Sequence, residues 1–148
     1  MRVRADAVNP FHFGIGEQVL GYAFTTIASG PHPTDLLHPS VDFYMIMALA
    51  LDKAFRGSED RMSGRRNVDI LLEFLAARAV EASDEQTAAG LAGLAGSALL
   101  VYADNGRARR VYERNGFVPM AGNPVERERG QAIRLWRPLH APYESTRV

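Results

Sequence analysis

The apolar positions of this chain fall into short blocks of differing period. Phe11–Ile15 alternates bulky and small residues, Gly16 to Val19 carries turn chemistry, and Leu20–Ile27 is rich in aromatic and β-branched side chains. Together they predict a β-hairpin. From Ser29 to Ser40, Pro31, Pro33 and Pro39 accompany Gly30, and the loss of ladder donors predicts a surface loop. Asp42–Leu51 (DFYMIMALAL) is the most continuous apolar run and predicts a central strand covered on both faces. Periodicity then vanishes from Asp52 to Arg66, a polar loop with four arginines. Val68, Leu71, Leu72, Leu75 and Ala79 next recur at three- and four-residue spacing, with Asp69 and Glu73 on another face. That spacing predicts an amphipathic helix to about Ala82.

Ser83 to Gly96, with its GLAGLAG repetition, reads equally as a short extra helix or a small-residue linker. Ser97–Ala103 is a buried strand, so strand, helix and strand form a parallel, right-handed crossover. Asp104 and Asn105 are N-caps, Gly106 to Arg114 a helix, and Asn115-Gly116 its left-handed end. Ala108, Val111 and Tyr112 share that helix's inward stripe, while Arg107, Arg110 and Arg114 reach solvent. Phe117–Met120 and Ala132–Leu139 read as closing strands around the charged loop from Asn123 to Gly130; Met1–Val8 offers a first strand and His140–Val148 a tail. The expected fold class is α/β: one domain over residues 1–148 with a mixed, mostly antiparallel sheet.

Composition narrows the chemistry. The 148 residues, 47% hydrophobic and 23% charged, suit one domain with a sizeable core. Seventeen basic residues balance 17 acidic ones, so no global field draws the protein to nucleic acid or an anionic membrane. The absence of cysteine excludes a disulfide framework, a thiol nucleophile and cysteine-ligated metal. Neither a signal peptide nor a run of eighteen apolar residues is present, so the expectation is a cytoplasmic protein that does not enter membranes. His12, His32, His38 and His140 are dispersed without metal-ligand spacing, and Gly14-Ile-Gly16 lacks the third glycine and following helix of a dinucleotide fingerprint.

The most informative segment is Asn105-x-x-Ala108-x-x-x-Tyr112-x-x-x-Gly116-Phe117, directly after a buried strand. It resembles the second cofactor motif of the GNAT superfamily of acyl-CoA N-acetyltransferases, N-x-x-A-x-x-x-Y-x-x-x-G-F, at all its fixed positions. Leu49-Ala50-Leu51 through Phe55-Arg56-Gly57 is similar to the family's L-x-V-x-P-x-Y-R-G strand ending, with departures that include leucine for valine and the loss of the proline. The resemblance spans about residues 11 to 139. It implies a GNAT-like domain in which two parallel strands splay apart and acetyl-CoA serves as co-substrate without a metal. The backbone of Leu49, Ala50 and Leu51 would pair with the pantetheine amides as a strand would.

The same resemblance places the pyrophosphate at a glycine-bearing loop running into a helix start, here Gly64, Arg65, Arg66, Asn67 and Val68. The family pattern there is R/Q-x-x-G-x-G/A, whereas this chain reads Ser63-Gly64-Arg65-Arg66-Asn67-Val68. Either Arg66 and Val68 occupy the glycine positions, or Arg61-x-x-Gly64 opens the motif and Arg66 replaces its last glycine. Both alignments put a bulky side chain where backbone should approach phosphate, and Arg61, Arg65 and Arg66 offer charge in exchange. Asn105 and Ala108 complete the implied cofactor site, and Tyr112 is the implied acid that protonates the departing thiolate. No base stands out, although Glu17, Asp42 and Tyr44 lie near strand ends.

The resemblance implies a strand and two helices before the hairpin, and ahead of Phe11 these residues are expected to supply at most the strand. The acceptor side is therefore left to the loop from residue 29 to 40, the loop from 123 to 130, or a homodimer partner. The resemblance implies a small-molecule or peptide amine as acceptor. The competing reading is a GNAT-shaped module that binds acyl-CoA or a protein partner without turnover.

Overall fold

The computed structural model describes residues 2–5, 11–15, 18–51 and 66–140. They form one sheet of eight strands and two helices in the order β1 (Arg2–Ala5), β2 (Phe11–Ile15), β3 (Gln18–Gly30), β4 (Val41–Leu51), α1 (Asn67–Ala88), β5 (Gly96–Tyr102), α2 (Gly106–Arg114), β6 (Val118–Pro119), β7 (Val125–Arg127) and β8 (Gly130–Pro138). Across the sheet the order is β1-β2-β3-β4-β5-β8-β6, and β7 also pairs with β8. Every pairing is antiparallel except β4 with β5. The expected hairpin, the parallel crossover and the closing strands are all present, and the mixed α/β class is the observed one.

Both helices lie on the same face of the sheet. Leu71, Leu72 and Leu75 of α1 are buried against Ala23, Ile46, Leu99, Val101 and Leu135, while Ala108, Val111 and Tyr112 of α2 pack on the edge of that cluster. Further along α1, Ala79 and Ala82 meet Tyr44 and Leu94. Helix α1 thus runs antiparallel to β4, with its first turn toward the C-terminal end of the strand.

Three expectations need correction. The helix does not stop near Ala82 but continues to Ala88, because Ala82 and Ser83 remain buried and the Ser83 hydroxyl receives the Leu94 N–H at 2.9 Å. The Ser83–Gly96 stretch therefore divides: its beginning is helix, and a linker through Gly90, at φ +82°, follows. The charged loop from 123 to 130 contains β7, which forms a hairpin with β8. Strand β4 is covered on both faces only in its first half: Phe43 and Tyr44, on opposite faces, are both buried, whereas Met47 is 63% exposed.

Candidate active site

The parallel pair β4 and β5 is joined only at Phe43–Gly96, Tyr44–Ser97 and Met45–Ala98. Beyond those residues β4 continues to Leu51 beside β3, and β5 continues to Tyr102 beside β8. Each strand keeps its outer partner while the inner edges separate, so the sheet opens as a fork. A bulge helps: Phe24 pairs with Ala48 and Thr25 with Ile46, leaving Met47 as an extra residue that bends β4 where the fork begins. Leu49, Ala50 and Leu51 all lie on this open edge. Backbone groups without ladder partners there can serve an extended, amide-bearing ligand as an added strand would.

Helix α1 begins beyond the open end of the fork. Arg66 is its N-cap with extended backbone (ψ 137°) and makes no side-chain cap, while its carbonyl receives the N–H groups of Asp69 and Ile70 at 3.1 and 3.2 Å. The single acidic residue of the first turn, Asp69, would repel an anion if free. Instead its carboxylate accepts from Arg114 Nη2 at 2.6 Å and from Asn115 Nδ2 at 2.8 Å. This ties the start of α1 to the end of α2 and offsets the charge; it also draws Arg114 away from the solvent exposure expected of it. Of the side chains expected to crowd a phosphate, Val68 turns into the core and is buried, as is Asn67, while Arg66 is exposed. Val68 is therefore a core residue, and only its backbone remains available to a ligand. Arg61, Gly64 and Arg65 lie outside the described residues.

Helix α2 follows the other arm of the fork. Asn105 caps it, its Oδ1 accepting the Ala108 N–H at 3.2 Å, and Gly116 at φ +91° ends it. That backbone favours glycine. Tyr112 packs on the core beside the open edge, its ring 6.0 Å from that of Phe117 in an edge-on arrangement. Burial raises its pKa above the ordinary phenol value. Desolvation disfavours the phenolate, so Tyr112 is held protonated at neutral pH.

The opposite face, on which none of the described helices lies, carries a cavity of about 200 Å³ at the apex of the fork. Phe43, Met45, Ala98, Leu100 and Met120 wall it, Arg127 and Arg134 supply its charge, and Ser29 to Pro31 close one side. Segments from both loops expected on the acceptor side, the proline-rich one and the 123–130 one, converge here. The loop is docked by the Ala121 N–H, which donates to the Pro33 carbonyl at 2.7 Å. Sequence reasoning did not single out Arg127 or Arg134; the available signal was an arginine inside the apolar strand Ala132-Ile133-Arg134-Leu135-Trp136.

The base candidates are not gathered in this cavity. Asp42 accepts from the Ser29 hydroxyl at 2.5 Å. Tyr44 is buried among Ala79, Ala82 and Leu94 on the helix side, and burial raises its pKa against the opposing pull of Thr25 and Arg78. Glu17 lies outside the described residues. His32 and His38 stack at 4.4 Å in the loop, and no group of metal-ligating side chains occurs among the described residues. No described helix is long and apolar enough to cross a membrane.

Neither a protein-family profile nor a curated protein sequence matches this chain. Solved structures do. The NatC complex bound to Gag peptide and CoA aligns over 87% of this chain and 70% of its own, at 19% identity and a TM-score of 0.52. Ard1 from Thermoplasma volcanium aligns over 87% and 69%, at 22% identity and 0.52. The ribosomal-protein-S18-alanine N-acetyltransferase from Escherichia coli aligns over 96% and 76%, at 18% identity and 0.50. The fold of this chain is that of the GNAT N-acetyltransferases.

Proposed function

We propose that this protein transfers the acetyl group of acetyl-CoA to an amine by direct attack. The observation that carries this reading is the fork between β4 and β5, closed at Met45–Ala98 and open beyond. A GNAT fold without that opening would have nowhere to seat a thioester tail.

The backbone of Leu49, Ala50 and Leu51 would bind the pantetheine amides, and the start of α1 with Arg66 would face the pyrophosphate, where free N–H groups and the helix dipole favour an anion. Asn105 and Ala108 fix the first turn of α2 on the other arm. The phosphate end then lies at the fork's mouth and the thioester points toward its apex. There the amine lone pair forms the C–N bond as the C–S bond breaks. The surplus proton on nitrogen passes to water, and Tyr112 gives its proton to the departing thiolate, regaining one from solvent. Alignment of the two reactants in the fork supplies most of the acceleration.

Calorimetry with acetyl-CoA, followed by thiol release in the presence of amines, tests this. Micromolar affinity and amine-dependent thiol release are expected. Binding without release favours the regulatory module, and absence of CoA affinity overturns both. In Tyr112→Phe, kcat should fall about a hundredfold, within the range for loss of a general acid, while acetyl-CoA affinity stays within about twofold.

A further inference from the structure

The cavity at the fork's apex is apolar on most of its wall, yet two arginines line it, the half-buried Arg134 and the exposed Arg127. Arg134 is half-buried and firmly placed: its N–H donates to Asn123 Oδ1 at 2.8 Å, and its carbonyl accepts from Asn123 Nδ2 at 3.0 Å and from the Met120 N–H at 3.0 Å. Backbone anchoring on this scale fixes the root of the side chain. Three described arginines are held in ion pairs, Arg78–Glu81, Arg109–Glu113 and Arg114–Asp69, whereas Arg66, Arg107 and Arg110 are exposed on the surface. Among the described residues, neither Arg127 nor Arg134 has an ion-pair partner, and Glu126 beside them accepts instead from Gln131 Nε2 at 3.0 Å. The Ser29 hydroxyl at the rim is committed to Asp42.

We propose that this cavity is an acceptor site selecting primary amines that carry an apolar body and a carboxylate, with Arg134, assisted by Arg127, as the carboxylate grip. A guanidinium fork matches a carboxylate bidentately, and a low-dielectric wall strengthens the contact. The cavity volume of about 200 Å³ admits one amino-acid-sized group, being smaller than the roughly 300–1,000 Å³ of drug-sized sites. A phosphate dianion fits less well, since it calls for further donors and the nearby hydroxyl is already engaged. The cavity borders Met45 and Ala98, the last joined pair of the fork, so a molecule held there presents its amine to the thioester. The assignment rests on the acetyl-transfer reading for its chemistry, though not for its binding. The carboxylate belongs either to a free amino acid or to an acidic side chain next to a peptide's N-terminal amine.

Two matched pairs separate these sources: L-methionine against L-methioninamide, and the peptide amide Met-Asp-Leu against Met-Asn-Leu. Calorimetric binding and acetyl-CoA-dependent thiol release are measured for each. The carboxylate member of one pair should bind and react at least tenfold better than its neutral partner. In Arg134→Gln, the KM for that member should rise about ten- to hundredfold with kcat little changed, erasing the preference. Arg134→Lys, which keeps the charge and the stem, should recover part of it. Equal binding of both members of both pairs, or a preference that survives Arg134→Gln, overturns the proposal. Thiol release with the neutral members would then leave acetyl transfer standing. Conversely, discrimination in binding without acetyl-CoA affinity would keep the carboxylate site and end the transferase reading.

Discussion

At the scale of single residues, the side chains around the fork serve structure and chemistry together. Asn105 spends its carboxamide oxygen on the Ala108 N–H, so replacement by alanine leaves a helix start uncapped. Asn105→Ala should lower unfolding stability by about 1 kcal/mol, read from the denaturant midpoint at unchanged slope. The pairing of Asp69 with Arg114 and Asn115 is a second case. It holds two helix ends together and also lowers negative charge where an anion is to bind. Tyr112 illustrates what a motif can convey: its spacing from Asn105 and Gly116 is legible in the sequence, whereas the direction of its pKa is not. That direction depends on desolvation by Phe117 and the core, which come together only in the folded chain. Because burial raises the pKa, Tyr112 keeps its proton throughout the neutral range. The pH–rate profile should therefore show no alkaline decline belonging to this group below about pH 10. A decline near pH 8 that disappears in Tyr112→Phe would contradict the assignment.

At the scale of elements, regular patterns were readable and interruptions of pattern were not. The alternation of Phe11–Ile15, the apolar run of β4 and the stripe on α2 each announce their element, because each period is carried by the element's own residues. The extension of α1 past Ala82 is not legible, because Ser83 to Ala88 has no apolar period; it goes with the burial of Ala82 and Ser83 and with the hydrogen bond that the Ser83 hydroxyl accepts from Leu94, eleven residues away. Strand β7 escaped notice because three residues with two charges carry no strand signal, and only the partner β8 makes them one. The fork itself is a matter of pairing, which a single strand's sequence does not encode. The two arginines of the cavity are hidden for the same reason, since they line it from separate strands. Gly96 shows how tightly the closed end of the fork is built: a Cβ there would lie 2.1 Å from the Arg137 carbonyl oxygen of β8. Gly96→Ala must push β5 off β8, and a loss of about 1–3 kcal/mol is expected from urea unfolding. A neutral result would show that the β5–β8 spacing is not fixed at this point.

At the scale of the whole molecule, the two faces of the sheet differ: the helix side buries the larger cluster around Leu71, Leu75 and Leu135, and the opposite side buries a smaller one around Phe43, Ala98 and Met120 and, at the apex of the fork, bears the cavity. The helix side also sets how stability depends on pH. Both Tyr44 and Tyr112 have pKa values raised by burial, whereas in the unfolded chain each ionises near pH 10. Below that value both states hold the phenolic protons and folding is indifferent to pH on their account. Above it the unfolded chain releases protons that the native state retains, so stability falls, by up to about 1.4 kcal/mol per pH unit for each of the two, until the native groups also ionise. The composition makes this readable: Lys53 is the sole lysine, and the other sixteen basic side chains are arginines, which stay charged through this range. Ion pairs such as Arg114–Asp69 therefore persist while the phenols titrate. Unfolding free energies measured between pH 8 and pH 11.5 should be level to about pH 10 and then decline. Each of Tyr44→Phe and Tyr112→Phe should remove part of that decline, and the double variant most of it. A double variant that declines as steeply as the wild type would show that neither phenol is buried in solution as the core arrangement requires.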